Sequence, residues 1–440
     1  MKRVLILSLA VSLVIFSGFS QSIDKEKLDT YFDALASNNR FMGSVAIAQG
    51  DKLIYSKSVG FADVEQGLTA SERSKYRIGS ITKTFTAVLI LKAVEEGMLS
   101  LSETIDKYFP TIGNANKITI EHLLRHRSGL HNHLDEFVNS NRHTQPIMEK
   151  EMMEVIIKGG NDFEPDTKMA YSNPNYILLT YILEKIYEKP FSKIVEDKIT
   201  NQLGLENTYL DGKINTQNGE CNSYTFLNNS WVLAPELDVS QALGAGAMTS
   251  TPTDLVKFSC ALFNGKLISE NSLTKMKTIK DHLGMGLIKM PFYDKTGFGH
   301  TGGIDGFSSV FAYFTTNEIS FAYTANGMNF NGNDISIAIL NAAFNNPFEI
   351  PEFTILNIAD EELDKYLGVY SSLQLPLKLT ITKNNGLLFA QLTGQPSFPL
   401  EATAKDKFEF KQADAVFEFN PLNKALILKQ RGMEFLFERE

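Results

Sequence analysis

The sequence predicts an α+β fold: a two-lobed domain with an antiparallel sheet flanked by helices plus a helical lobe, followed by a small C-terminal antiparallel β-barrel. Strand-like runs lie on both sides of a mainly helical middle region, so they are expected to share one sheet. Beyond Leu363, short runs alternate apolar with polar residues between turns, as in a small barrel. The chain has 440 residues, 43% of them hydrophobic, which is enough to bury a core in both parts.

The first twenty residues have the pattern of a signal peptide. Lys2 and Arg3 precede an apolar run from Val4 to Phe16, and small residues lead up to Ser20. That run is short for a bilayer span of about 20 residues, which favours cleavage over anchoring. We therefore expect an exported protein, periplasmic or secreted, without stable membrane insertion.

Periodicity and turn residues predict the elements that follow the leader. In chain order they are a helix from Lys25 to Ala36, hairpin strands from Gly43 to Ala48 and Lys52 to Val59, a buried helix from Ile81 to Glu96, a mainly helical stretch from Ile118 to about Lys280, strands from Gly306 to Tyr313 and Ile319 to Tyr323, and a helix from Asp334 to Phe344. The predicted domains are a signal peptide (1–20), a hydrolase domain (21–345), a linker (346–360) and a barrel (361–440).

Charge and cysteine content exclude some classes of protein. The net charge of -9 argues against nucleic-acid binding, which usually shows a basic stripe. Cys221 and Cys260 are the two cysteines, and we expect two separate thiols, although export would permit them to pair.

A serine three residues before a lysine occurs three times and is weak evidence alone. The pairs are Ser22 with Lys25, Ser80 with Lys83, and Ser272 with Lys275. Ser80 is favoured because it opens the apolar helix, where unpaired backbone N–H groups favour developing negative charge. One helical turn separates Ser80 from Lys83, so both side chains can face one cleft. If this motif stood alone, a helix N-cap serine beside an exposed lysine would be the favoured explanation.

A second motif, Tyr171-Ser172-Asn173, precedes another apolar helix. A tyrosine beside a lysine ammonium can have a lowered pKa, and Tyr171 is therefore expected to serve as a general base. The Asn173 amide offers both a donor and an acceptor to a substrate amide.

A third motif has two candidates five residues apart, Lys295-Thr296-Gly297 and His300-Thr301-Gly302. We favour the His300 triplet because Gly303 and the strand from Gly306 follow it directly. Glycines would let a substrate lie against the strand edge, within reach of its N–H groups.

Together the three motifs resemble the serine β-lactamase and penicillin-binding-protein superfamily. The match is greatest to class C β-lactamases and their DD-peptidase and esterase relatives, which have Tyr in the second motif and often His in the third. The segments Leu123 to Leu130 and Gly244 to Ser250 also resemble this branch, and the resemblance covers roughly residues 28 to 345.

The resemblance implies a role for each motif residue. Ser80 would be acylated, with Lys83 and Tyr171 sharing the proton transfers. The backbone N–H groups of Ser80 and Gly303 would form the oxyanion hole. The substrate would be held by Asn173, His300, Thr301 and Gly302.

The expected reaction is hydrolysis of amides or esters through an acyl-enzyme, on peptidoglycan-derived D-amino peptides or small esters. Because His300 replaces the lysine of penicillin-recognising enzymes, β-lactams are a weaker alternative. A non-catalytic binding protein that keeps the fold is a competing class, disfavoured because all three motifs are intact. The resemblance to relatives with an appended barrel leaves the role of this domain open, and the oligomeric state is likewise open.

No cofactor is expected. Five of the seven histidines lie between His122 and His143, including His131-Asn132-His133 near Asp135 and Glu136. Their spacing does not supply the roughly four ligands of a structural zinc site, so we expect structural or surface roles and no metal.

Overall fold

The structure is a computed structural model that describes residues 23–440 except 134–141, 211, 228, 354–357, 385, 411–412 and 431. The predicted signal peptide lies outside these residues. None of the helices in the described part of the chain is long and apolar enough to cross a membrane.

The helices of the described chain are numbered in chain order. They are Lys25–Ser37 (α1), Thr82–Glu95 (α2), Ile120–Leu124 (α3), Glu149–Gly159 (α4), Pro174–Tyr187 (α5), Phe191–Val195 (α6), Asn201–Leu203 (α7), Pro252–Phe263 (α8), Glu270–Lys277 (α9), Gly332–Ala343 (α10) and Asp360–Leu363 (α11).

The strands before the barrel are Phe41–Gln49 (β1), Lys52–Val59 (β2), Phe61–Asp63 (β3), Leu68–Thr69 (β4), Tyr76–Arg77 (β5), Tyr224–Leu227 (β6), Ser230–Leu233 (β7), Thr249–Ser250 (β8), Ile288–Phe292 (β9), Lys295–Ile304 (β10), Phe307–Phe314 (β11) and Ile319–Met328 (β12). Those of the barrel are Gly368–Ser371 (β13), Lys378–Asn384 (β14), Leu387–Leu392 (β15), Phe398–Ala404 (β16), Lys407–Phe410 (β17), Ala415–Asn420 (β18), Ala425–Gln430 (β19) and Met433–Arg439 (β20).

One central antiparallel sheet joins strands from both ends of the first domain, as predicted. Its strand order is β2-β1-β12-β11-β10-β9. β1 lies beside β12 with Ile47 opposite Phe321, which closes the sheet across most of the domain. The hairpin predicted between β1 and β2 is present.

Each face of this sheet is covered by helices. On one face, α2 and α8 pack through the stacked rings of Phe85 and Phe258, whose centroids are 3.8 Å apart, and Phe311 of β11 meets them. On the other face α1 and α10 bury apolar residues, including Phe32 and Ile339, against β1 and β12. Burying each large side chain stabilises the fold by about 1.5–3 kcal/mol.

The prediction of a mainly helical middle region was partly wrong. Residues 224–233 form the hairpin β6–β7, and β8 pairs with β5. Both elements are short, and β6 joins the central sheet through a single residue pair, Tyr224 with Gly327, in the described chain. Strands this short carry too few alternations to stand out in a sequence.

The C-terminal β-barrel is confirmed. Strands β13 to β20 pair consecutively and antiparallel, and β20 returns to β13 to close the barrel. Its interior is apolar, with Leu379, Leu400 and Phe437 fully or almost fully buried. The exact domain boundaries stay a prediction.

Candidate active site

Ser80 lies in a single 3₁₀ turn, Gly79–Ile81, that runs directly into α2. Gly79 has a φ of +50°, and a Cβ placed there would lie 2.7 Å from the backbone nitrogen of Gly303. Only glycine permits both that conformation and that approach. The turn therefore places the backbone of Ser80 next to the Gly303 end of β10.

Lys83 points from the first turn of α2 to Ser80. Its Nζ lies 3.0 Å from the Ser80 Oγ, and it donates to the Asn173 Oδ1 at 2.8 Å and to the carbonyl oxygen of Ala245 at 2.6 Å. It also lies 4.8 Å from the centre of the Tyr171 ring. The spacing of the first motif thus brings both side chains together.

The environment of Lys83 favours its neutral form. The side chain is fully buried, and its three hydrogen-bond partners are uncharged. Burial holds the pKa of the Lys83 amine well below its usual range. A neutral amine 3.0 Å from a serine hydroxyl can accept its proton.

Tyr171 differs from the prediction in its protonation. We expected a lowered pKa, but desolvation raises the pKa of Tyr171 to about 12, and interaction with Ser80 opposes this only in part. The prediction failed because burial also lowers the pKa of the neighbouring Lys83 amine and so weakens the positive charge on which it relied. Tyr171 is therefore a phenol that can donate a proton.

His126 packs against one face of the Tyr171 ring. The two rings stack with centroids 4.2 Å apart, and the imidazole is buried. The His126 Nδ1 accepts the backbone N–H of Ser172 at 3.1 Å and lies 3.2 Å from the Asn175 Nδ2. The second motif is thereby fixed to the segment before Leu130, which sequence resemblance alone had singled out.

Asn173 is held by Asn132, a residue without an assigned role in the sequence analysis. The Asn132 Oδ1 accepts the backbone N–H of Asn173 at 3.1 Å and its Nδ2 at 3.2 Å. Asn173 thus presents its Oδ1 to Lys83 and keeps one amide hydrogen for a substrate.

The segment from Gly244 supplies the remaining partner of Lys83. A Cβ at Gly244 would lie 2.3 Å from the Thr180 Oγ1, so glycine is required for its close packing on α5. The Gly244 carbonyl accepts from Thr86 of α2 at 2.7 Å. This contact holds the neighbouring Ala245 carbonyl at the Lys83 amine, a role that the sequence did not reveal.

The third motif is divided between two sides of β10. His300 is buried, and burial lowers its pKa to about 4. Its Nδ1 donates to the carbonyl of Thr301 at 2.6 Å, which opposes the effect of burial only in part, so the ring favours its neutral form. Thr301 and Gly302 line a separate cavity of about 610 Å³ between the sheet and α10, which Gly303 also borders.

The alternative candidates for the first and third motifs have other neighbours or lie outside the described residues. Lys295, at the far end of β10, contacts Asp294 at 2.6 Å and the Phe344 ring at 5.3 Å. Ser272 is buried in α9, and Ser22 falls outside the described residues.

The residues around Ser80 line a cavity of about 800 Å³. Among the predicted site residues Ser80, Tyr171, Asn173 and Gly303 line it, and Asn132 joins them. His300, Thr301 and Gly302 are not part of this lining. No lysine or arginine lines the cavity in the part of the chain that the structure describes.

Among the residues that the structure describes, no group of three or more His, Cys, Asp or Glu side chains is placed to hold a metal ion. Asp135 and Glu136 lie within the gap at 134–141. Cys221 and Cys260 are separate, buried thiols.

Comparison with known proteins gives a consistent match. Residues 28–345 match the Beta-lactamase family. The chain is 25% identical to penicillin-binding protein 4* of Bacillus subtilis over 93% of this chain and 97% of that protein. It is 26% identical to the teichoic acid D-alanine hydrolase of Staphylococcus aureus, over 56% of this chain and 59% of that protein.

The architecture including the barrel is also shared with a solved structure. The octameric penicillin-binding protein homologue from Pyrococcus abyssi superposes with a TM-score of 0.66 at 22% identity. The match covers 94% of this chain and 100% of that one, and it shows a common fold.

Proposed function

Because the chain belongs to the beta-lactamase family and is a serine hydrolase, we propose that it cleaves esters or amides through an acyl-enzyme formed on Ser80. The observation that carries the proposal is the 3.0 Å contact between the Ser80 hydroxyl and the buried Lys83 amine. A nucleophilic serine needs an adjacent base, and the lowered pKa of Lys83 makes its amine one.

In the proposed acylation, the Ser80 oxygen attacks the substrate carbonyl carbon while its proton passes to the Lys83 Nζ. The resulting oxyanion accepts the backbone N–H groups of Ser80 and Gly303, and each such donor contributes about 3 kcal/mol to transition-state stabilisation. The bond to the leaving group then breaks, and the leaving group takes a proton from the Tyr171 hydroxyl. Water deacylates Ser80 by the reverse sequence of proton transfers.

The substrate class follows from the charges of the site. A free carboxylate on the substrate is best held by a lysine or arginine, and the described cavity lining has neither. The histidine of that lining, His143, lies near the Asp305 carboxylate, and burial favours the neutral form of His300. We therefore favour D-aminoacyl esters and amides without such a carboxylate over β-lactams. Similarity to a teichoic acid D-alanine hydrolase supports this choice.

We further propose that the protein is exported. The support is the leader pattern of residues 1–20 alone, with its basic start and short apolar run. Mass determination of the mature N-terminus tests it, and an intact Met1 on protein from the native host would contradict it.

The test of the reaction is hydrolysis of D- and L-alanyl p-nitrophenyl esters, D-alanyl-D-alanine and nitrocefin by the wild type and by Ser80→Ala. We expect fastest turnover of the D-alanyl ester, a trapped acyl adduct on Ser80 by mass spectrometry, and loss of both in Ser80→Ala. Ser272→Ala is the matched control, because Ser272 has the same spacing to a lysine but lies in α9. Equal turnover by Ser80→Ala would refute the mechanism, and a preference for nitrocefin would refute the substrate class.

A further inference from the structure

The hairpin β6–β7 forms part of the wall of the catalytic cavity. Thr225 of β6 and Ala234, just after β7, line the cavity together with Ser80. The Ser223 Oγ accepts the N–H of Gly306 in the turn after β10 at 3.2 Å. A displacement of this hairpin therefore changes the cavity wall and the turn that follows Gly303.

The opposite side of the same hairpin faces the barrel. Side chains alternate along a strand, so Phe226 points away from the Thr225 side. Phe226 and Asn229 line a groove of about 250 Å³ whose other wall includes Leu388 and Leu400 of the barrel. Phe226 is braced by Trp231, with ring centroids 4.9 Å apart.

An ion pair beside this groove joins the two domains. Both terminal nitrogens of Arg40 bind the carboxylate of Glu401 on β16, one of them at 2.7 Å. Arg40 is buried, whereas Glu401 is 30% exposed at its side chain. The Arg40 carbonyl also accepts the N–H of Asn329 at 2.9 Å, which fixes the pair to the end of β12.

The end of β12 is also where the hairpin joins the sheet, through the single pair of Tyr224 with Gly327. The base of the hairpin is anchored in the catalytic domain, because Tyr224 is buried and its hydroxyl contacts the Val64 N–H and the Glu65 carboxylate. Its outer part from Phe226 onward borders the barrel across the groove, and a two-stranded hairpin depends on such neighbouring elements to keep its position.

We propose that the C-terminal barrel is a positioning domain for the catalytic cavity: the Arg40–Glu401 pair and the groove beside it hold hairpin β6–β7, which sets the fit of the acyl group. The inference rests on the proposed function, because it concerns the part of the same cavity that would bind the acyl group of the substrate. It assigns the barrel a role in selectivity rather than in the chemical step.

The experiment compares full-length wild type with Glu401→Gln on p-nitroanilides of D-phenylalanine and D-alanine. We expect KM for the larger D-phenylalanyl group to rise about threefold to tenfold, with kcat and the D-alanyl constants changed less than about twofold. Glu418→Gln, which removes an exposed ion pair with Lys429 within the barrel, is the matched control and should change neither. The charge swap Arg40→Glu with Glu401→Arg should restore the KM.

Phe226→Ala removes the ring with which the hairpin lines the groove, and it should give the same selective rise in KM for the D-phenylalanyl substrate. This second variant keeps the test decisive even if Glu401→Gln folds poorly. Equal changes for both substrates, or none in either variant, would overturn the inference. A wild type inactive on every substrate would instead contradict the proposed function.

Discussion

Gly302 controls the distance between β10 and the turn that carries Ser80. A Cβ at this position would lie 2.0 Å from the carbonyl oxygen of Ile78 and 2.5 Å from the Ser309 Oγ. Ordinary contact begins at 3.4 Å, so Gly302→Ala must separate strand and turn by more than about 1 Å. Ser80 and Gly303 lie on the two sides of that contact.

A misplacement of this size costs about 100-fold in catalysis, or about 2.7 kcal/mol of transition-state stabilisation. We expect kcat/KM of Gly302→Ala on the D-alanyl ester to fall by about that factor, with slower labelling by a fluorophosphonate probe. Thermal unfolding checks that the variant is folded.

Gly303→Ala is the matched comparison, one residue along the same strand. Its Cβ would meet no atom closer than the Phe307 carbonyl at 4.0 Å, and alanine keeps the backbone N–H. We expect it to lose about tenfold at most. If Gly302→Ala is as active as Gly303→Ala, the geometry assigned to the oxyanion hole is wrong.

Two further predictions concern the proton transfers. Because Lys83 must be neutral to accept the Ser80 proton, kcat/KM should rise with pH through the lowered pKa of Lys83 and fall only as Tyr171 ionises near pH 12. The unfolded chain holds the Lys83 proton more tightly than the folded protein does, so the free energy of unfolding should also rise with pH up to the ordinary lysine pKa of 10.5. A pH–rate profile with no acid limb, or one that follows an imidazole seen to titrate at His300 by NMR, would contradict this assignment. Asn132→Ala should lower kcat/KM about tenfold, because the Asn173 amide loses the acceptor that positions it. Asn132→Asp keeps that acceptor, but its charge favours protonated Lys83 and should move the acid limb of the pH–rate profile to higher pH. Identical profiles for the two variants would show that Asn132 does not act through the Asn173 amide.

Local patterns in the sequence predicted much of the fold. The β1–β2 hairpin and the helix after Ser80 are continuous apolar runs bounded by turn residues, and the barrel strands alternate apolar with polar residues, so a window of ten to fifteen residues reveals each of them. The contact between Ser80 and Lys83 followed from helical spacing. The short hairpin β6–β7 was missed because its four-residue strands carry too few alternations to stand out in the sequence.

The missed parts of the site depend on contacts between distant residues. Asn132 reaches Asn173 across 41 positions, and the Ala245 carbonyl reaches Lys83 across 162. The protonation of Tyr171 was mispredicted because a nearby amine counts as a charge only if it keeps its proton. Burial decides that, and a linear motif does not report burial.

The pairing of β1 with β12 has a consequence for how the protein folds. Phe41 lies opposite Met328, so the central sheet cannot close until nearly three quarters of the chain is available. Contacts this distant in sequence have a high loop-closure entropy and make folding slow. During synthesis the exposed edge of the β1–β2 hairpin must wait for its partner, and we expect the growing chain to be most prone to aggregation during that interval.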